Sequence, residues 1–223
     1  GTIPQPVNNL VDAEYIGNQR NIKDIMLAGH LSLDVQVEQW NFLNWRQGSI
    51  DLNGMSSAGA TFKGIIIRGL QNGSSRFMMC HLFPMDNMEG VFSNCMFMEA
   101  SIWKVKGGGR LSMNDCRTTV PQHAAPCLDL QNGGELDVNV HAYSGAIKFI
   151  NSDHVDNYTV CEFVAGKIIV DATNTEGHFA FRGVANDEDL SPGPNVNVHR
   201  EGLLSREIQN KLLALVNDLH AVE

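Results

Sequence analysis

The alternation of apolar and polar positions divides the chain into four segments. Residues 1–23 are polar and mixed, with a short helical pattern near residues 10–16. From residue 24 to residue 185, short segments alternate apolar and polar residues, as in residues 31–37 and 135–140. Such alternation is typical of β-strands with one buried and one solvated face. The sequence therefore predicts an N-terminal arm or cap over 1–23 and a β domain over 24–185.

Turn signals separate these segments. Asn53-Gly54, Asn72-Gly73 and Ser144-Gly145 are examples, and similar pairs recur every 10–20 residues or so. Asparagine and glycine favour corners because they tolerate left-handed backbone conformations. No helical pattern of 10–15 residues interrupts residues 46–185. This excludes folds built from βαβ units and leaves a sandwich, a barrel or a solenoid.

A short internal repeat favours the solenoid. Phe77-Met-Met-Cys80, Phe92-Ser-Asn-Cys95 and Met113-Asn-Asp-Cys116 each place a cysteine three residues after a bulky apolar residue. Gly109-Arg-Leu111 and Gly134-Glu-Leu136 form a second, looser repeat. In a β-solenoid, each turn places equivalent side chains at the same interior position. We predict a right-handed, parallel β-helix-like solenoid, with a β-sandwich as the alternative.

The C-terminal region has a different pattern. Residues 186–202 combine acidic residues with proline and glycine, which predicts a solvated linker. Over residues 203–223, apolar residues recur in steps of 4, 3, 4 and 3, the spacing of a coiled-coil seam. The seam consists of Ile208, Leu212, Leu215, Leu219 and Val222. We predict an oligomerisation helix that forms a homotrimer, the alternative being an amphipathic helix docked on its own domain.

Charge and cysteine content narrow the choice of partners. The chain has 16 basic and 25 acidic residues and a net charge of −9, so it lacks the basic surface that nucleic acid or anionic membranes require. It contains no apolar run of about 18 residues that could cross a bilayer. Its five cysteines are widely spaced and include no Cys-x-x-Cys pair. We expect reduced thiols in a protein made in the cytoplasm, with no metal and no cofactor.

An ordered series of residues indicates a family. It includes Phe92-Ser-Asn-Cys95 and residues 109–116, 135–140, 143–149 and 165–173, and it lies within about 40% of the chain. The series resembles minor structural proteins of tailed bacteriophages, with Asn174 where that pattern would have cysteine. The resemblance implies a location in the virion tail and other tail proteins as partners. It transfers no catalytic residues.

We therefore expect a non-enzymatic structural component of a phage tail, tail fibre or adsorption apparatus, which could also contact a host-surface glycan or receptor. A glycan depolymerase is the alternative, and a bacterial β-helix adhesin is a third class. Hydrolysis would need two carboxylates facing one groove, although outward carboxylates on strands ordinarily serve solubility. The candidate carboxylates are Glu99, Asp115, Asp129, Glu135 and Asp137.

Three further features bear on binding. Trp40 and Trp45 are candidates for stacking on a sugar, or for a hydrophobic cap over the first turn. The methionines between residues 78 and 98 suit either the core or a subunit interface. Cys80 and His81 are adjacent, so they should face opposite sides of a strand and cannot form a Cys–His catalytic pair.

Overall fold

The computed structural model is mainly β, with about 55% of its residues in strands, and forms a parallel β-solenoid of about eight turns. It describes residues 7–119, 125–130, 135–162, 164–182 and 187–201. The predicted β-solenoid is therefore confirmed, and the β-sandwich alternative is wrong. One helix in the described residues, α1, spans Leu10–Arg20 and precedes the first strand.

Nineteen strands follow the helix in the described residues. They are β1 (Asp24–Ser32), β2 (Asn41–Asp51), β3 (Thr61–Lys63), β4 (Ile66–Leu70), β5 (Ser75–Met78), β6 (His81–Asp86), β7 (Gly90–Ser93), β8 (Met96–Phe97), β9 (Ile102–Lys104), β10 (Arg110–Asn114), β11 (Arg117–Thr118), β12 (Cys127–Asp129), β13 (Leu136–His141), β14 (Ile147–Ile150), β15 (Asn157–Glu162), β16 (Lys167–Val170), β17 (Glu176–Arg182), β18 (Asp187–Leu190) and β19 (Asn195–Glu201).

The strands form three faces around the core. Face A contains β3, β5, β7, β10, β13, β15, β17 and β19, and face B contains β4, β6, β8 and β11. These two faces belong to one 14-stranded sheet, because the long strand β2 pairs with β3 near its start and with β4 near its end. Face C is a five-stranded sheet of β9, β12, β14, β16 and β18.

Equivalent inward residues stack from turn to turn on face A. The column contains Phe42, Phe62, Phe77, Phe92, Met113, Val140, Cys161 and Phe181, each in register with the next. The first four rings stack with centroid separations of 5.3, 5.2 and 4.5 Å. Because Phe77, Phe92 and Met113 share this column, the repeat seen in the sequence does mark equivalent positions. Burial of these apolar side chains, five of them phenylalanines, provides much of the hydrophobic stabilisation.

The corner between faces A and B also repeats. Met79, Asn94 and Asp115 have φ angles of 54°, 54° and 52°, and each precedes a cysteine. This left-handed conformation turns the chain sharply within one residue. The cysteine that follows points into the core, so Cys80, Cys95 and Cys116 are buried one above another.

The solenoid extends further than the sequence predicts. The predicted linker over residues 186–202 contains strands β18 and β19, which pair in parallel with β16 and β17. The prolines and glycine at 192–194 form a turn between these strands rather than a linker. The sequence is misleading here because an exposed, charged residue occupies the register position of face A that is apolar in the earlier turns. Arg200 follows Phe181 at that position and forms an ion pair with Glu188.

Candidate functional site

The predicted oligomerisation residues lie outside the described part of the chain. These are Ile208, Leu212, Leu215, Leu219 and Val222. The last described residue is Glu201, at the end of β19. The coiled-coil seam and the homotrimer therefore remain predictions from sequence.

The two candidate tryptophans do not form a shared binding platform. Trp40 is only 4% exposed and belongs to the hydrophobic core. Gly17 of α1 packs so closely against its ring that a Cβ at position 17 would clash with it, and the ammonium of Lys23 lies 4.6 Å from the ring centroid. Trp45 is 43% exposed and is skipped in the pairing of β1 with β2, as in a β-bulge. Only Trp45 could contact a ligand.

The five candidate carboxylates lie at four separate places on the surface, because Glu135 and Asp137 are two residues apart on the outward side at the start of β13. Asp137 is on face A, where it pairs with Arg110 at 2.9 Å, and Asp129 is on face C. Asp115 lies at the corner between faces A and B. Glu99 and Glu135 are exposed residues outside the strands. Asp115, Asp129 and Asp137 therefore lie on different parts of the solenoid surface, whereas glycan hydrolysis needs two carboxylates that face one groove.

Three cysteines, Cys80, Cys95 and Cys116, form a buried column at one corner of the solenoid. Cys80 points into the core and His81 is exposed on the opposite side, as predicted. The thiols of Cys80, Cys95 and Cys116 donate to the carbonyl oxygens of Phe62, Phe77 and Phe92 at 3.3–3.4 Å. Hydrogen bonding between neighbouring thiols, with burial, raises the pKa of Cys80 and raises that of Cys95 to about 12. These two thiols therefore stay protonated at neutral pH and are poor nucleophiles.

A groove of about 350 Å³ follows the outer side of this cysteine corner, and sequence reasoning did not find it. Three consecutive turns each contribute a corner residue and the first residue of face B. The lining residues are Met79, His81, Asn94, Met96, Asp115 and Arg117. The internal repeat does mark the corner residues, because each of them directly precedes one of its cysteines. Without the register of the turns, however, their proximity could not be inferred.

The methionines between residues 78 and 98 divide between the core and the outer surface. Met85 and Met88 are 1% and 0% exposed, whereas Met78 and Met79 are 39% and 49% exposed. Met96 is half-buried in the groove. Methionine and arginine are enriched at protein interfaces, and exposed clusters of apolar side chains often mark binding surfaces. The sequence allowed either a core position or a subunit-interface position for these methionines. The structure places Met85 and Met88 in the core.

Ion pairs occur at several places on the outer surface of the described residues, but not in the groove. Some lysines and arginines pair with carboxylates of a neighbouring turn, as in Lys106–Glu89 at 2.7 Å and Arg182–Glu162 at 2.8 Å. The hydrogen bond from Arg182 lowers the pKa of Glu162 below its usual range. By contrast, neither Asp115 nor Arg117 forms an ion pair with another described residue. The groove therefore offers an unpaired cation and an unpaired carboxylate beside two thioethers.

No protein-family model, no curated protein and no solved structure matches this chain. The fold and the surface are therefore the basis for any functional conclusion. Within the described ranges, no cluster of three or more potential metal ligands occurs. No helix in those ranges is both long and apolar enough to cross a bilayer.

Proposed function

We propose that this protein is a structural component of a bacteriophage virion, located in the tail, tail fibre or adsorption apparatus. The observation that carries the proposal is the continuous interior column of face A, from Phe42 to Phe181. Because parallel strands stack about 4.8 Å apart, eight turns give a stiff body about 40 Å long. A stiff, elongated body suits a load-bearing or spacing role, and the ordered residues of 91–184 that resemble phage minor structural proteins agree with it.

Two finer features belong to the same proposal. The solenoid is right-handed, and the C-terminal seam from Ile208 to Val222 assembles it into a homotrimer. The sequence spacing of 4, 3, 4 and 3 supports the seam. Other tail proteins are its expected neighbours, and a host-surface glycan or receptor is a further contact. The dispersed carboxylates Asp115, Asp129 and Asp137 favour this structural role over a glycan depolymerase.

The proposal is tested on phage particles that encode this chain. Density-purified virions and the unpurified lysate are compared by mass spectrometry, and an antibody against the recombinant protein is located on particles by electron microscopy. We expect the protein to co-purify with particles and to label the tail. Presence in the lysate but absence from particles would overturn the proposal. Release of reducing sugar from host polysaccharide by the purified protein would favour the depolymerase instead.

A further inference from the structure

The outer groove crosses three consecutive turns and has one charged end. His81, Met96 and Arg117 are register neighbours on face B, so each belongs to a different turn. Asp115 lies in the same turn as Arg117, and Met79 lies in the same turn as His81. Because neighbouring turns are about 4.8 Å apart, the charged end lies about 10 Å from the level of Met79. Met96 and Met79 therefore follow the charged end, one and two turns away.

The two charges at this end belong to one turn and are unpaired. Asp115 and Arg117 flank Cys116, whose side chain points inward, and both are exposed. Neither forms an ion pair with any other residue that the structure describes. An occupant that carries only carboxylates would pair with Arg117 and be repelled by Asp115. An occupant that matches both residues carries an ammonium group and a carboxylate next to each other.

The rest of the groove suits an apolar chain. Met96 is half-buried and Met79 is 49% exposed, and unbranched thioether side chains adapt to apolar groups of different shapes. The groove volume of about 350 Å³ is near the lower limit of small-molecule sites, which is about 300 Å³. The size of the groove therefore fits one small molecule whose apolar part extends from its charged part.

We propose that the groove binds a free α-amino acid with an apolar side chain. The guanidinium of Arg117 donates hydrogen bonds to the carboxylate of the amino acid, and its ammonium group donates to the carboxylate of Asp115. Its side chain packs on Met96 and Met79, which removes apolar surface of both partners from water. Such a molecule carries its ammonium, its carboxylate and its apolar side chain on one carbon. This inference goes beyond the virion role and does not depend on the homotrimer.

Two grooves of two copies would also match these charges if they faced each other. Both surfaces are concave, however, so the methionines of the two copies would border a space instead of packing against apolar atoms. Stable protein interfaces are packed as densely at their centre as protein interiors. The shape of the groove therefore favours a small ligand over a second copy.

Nuclear magnetic resonance of the full chain, labelled with ¹³C at its methionine methyl groups, tests the proposal with L-leucine as the probe. We expect leucine to shift the signals of Met79 and Met96, assigned with Met79→Leu and Met96→Leu, and to leave those of the buried Met85 and Met88 in place. Leucinamide lacks the carboxylate, N-acetyl-leucine lacks the ammonium group and glycine lacks the side chain. Each should bind about fivefold more weakly than leucine, or weaker still.

Variants of the two charged residues should mirror these ligands. In Arg117→Gln, leucine and leucinamide should bind equally weakly, because the carboxylate of leucine has lost its partner. In Asp115→Asn, the same should hold for leucine and N-acetyl-leucine. Arg46→Gln is the matched control, because Arg46 is an exposed arginine of β2 outside the groove. The control should bind leucine as tightly as the original protein does.

Three results would overturn the proposal. The first is the absence of methyl shifts with leucine up to its solubility limit. The second is equal affinity of the original protein for leucine and leucinamide, which would show that Arg117 does not bind the carboxylate. The third is a dimer of the original protein that Arg117→Gln dissociates, which would assign the groove to a second copy. None of these results bears on whether the protein is present in virions, so the two proposals fail separately.

Discussion

Single side chains stabilise this molecule by stacking on their equivalents in the next turn. Phe77 lies between Phe62 and Phe92, with ring centroids 5.2 and 4.5 Å away, and is fully buried. Outward residues on the same strands contact solvent and pair with their neighbours on adjacent turns. A change in an inward residue therefore affects three turns at once, whereas a change in an outward residue is local.

Phe77→Ala should lower the free energy of unfolding by about 3–5 kcal/mol, since it removes buried contacts and leaves a cavity between two rings. Arg76→Ala is the matched control, because Arg76 is on the same strand, β5, but points outward. We expect the control to change stability by less than about 0.5 kcal/mol. Urea denaturation measures both values. A loss below about 1 kcal/mol for Phe77→Ala would contradict the stabilising role of the face A column.

The ion pair between Lys148 and Asp171, at 2.5 Å, should make stability depend on pH. The hydrogen bond from Lys148 lowers the pKa of Asp171, and the same bond raises the pKa of Lys148. Because the pKa of Asp171 is lower in the folded protein than in the unfolded chain, where it is near 4, the pair stabilises the fold fully at pH values above the unfolded pKa. This stabilisation is lost as the pH falls through the folded pKa. Because the pKa of Lys148 is higher in the folded protein than in the unfolded chain, where it is near 10.4, the pair also stabilises the fold at pH values below the unfolded pKa. This contribution is lost as the pH rises through the folded pKa.

The free energy of unfolding should therefore fall less between pH 7 and pH 3 in Asp171→Asn than in the original protein, by about 0.5–1 kcal/mol. Urea denaturation at the two pH values measures this difference. Asp86→Asn is the comparison, because its pair with Lys104 is longer, at 3.5 Å, and more exposed. We expect that control to have a smaller effect. If the Asp171→Asn protein lost as much stability on acidification as the original protein, the explanation would be wrong.

At the scale of the element, one-residue corners determine how a strand on face A passes to face B. Ala142 occupies the corner position one turn after Asp115 and has a φ of 51°. An alanine there is strained, because its Cβ approaches the following carbonyl in the left-handed conformation. The buried Tyr143 follows it, as the cysteines follow the equivalent residues in earlier turns.

Ala142→Gly should stabilise the protein by about 0.5–1 kcal/mol, since the relief of strain exceeds the entropy that glycine adds to the unfolded chain. Ala146→Gly is the control, because Ala146 is buried and lacks a positive φ. The control should destabilise by about 1 kcal/mol through loss of a buried methyl group and added backbone freedom. Thermal or urea denaturation distinguishes the two. Destabilisation by Ala142→Gly would show that the corner carries no strain.

On the scale of the whole molecule, the two described ends of the solenoid are closed differently. At the N-terminal end, α1 packs over Trp40 and covers the first turn. At the other end, Arg200 occupies the position after Phe181 on face A and pairs with Glu188. The described solenoid thus begins under an apolar cap, and its last described strand carries a solvent-accessible ion pair.

The proposed trimer depends on the seam beyond this end. Replacing Leu212 and Leu219 together by aspartate should convert a trimer into monomers, because buried carboxylates oppose seam packing. Light scattering coupled to size-exclusion chromatography measures the mass, and far-ultraviolet circular dichroism checks that the β-solenoid is retained. Asn217→Asp, off the seam, is the control and should remain trimeric. A monomeric original protein at micromolar concentration would refute the trimer.

Much of the fold is predictable from sequence because a solenoid repeats itself. The spacing of Phe77, Phe92 and Met113 from their cysteines identifies true structural equivalents. The looser repeat of Leu111 and Leu136 does not, since Leu111 pairs with Val138. The turns vary in length, so sequence spacing alone cannot give their register. For the same reason the groove at Met79, Met96 and Arg117 could not be predicted.

By itself, the sequence favoured a solenoid over a sandwich, located corners such as Asn53-Gly54, Asn72-Gly73 and Ser144-Gly145, and identified the inward residues of the repeat. Alternation and turn residues are local properties, and local backbone preferences dictate them. Tertiary structure alone decided that residues 187–201 continue the solenoid, that Trp40 is buried, and which outward residues meet. These outcomes depend on contacts between residues 15 to 27 positions apart along the chain, as in Thr61 with Arg76 and Arg110 with Asp137. The length of each turn sets the partner. The groove therefore exists only once the turns are stacked.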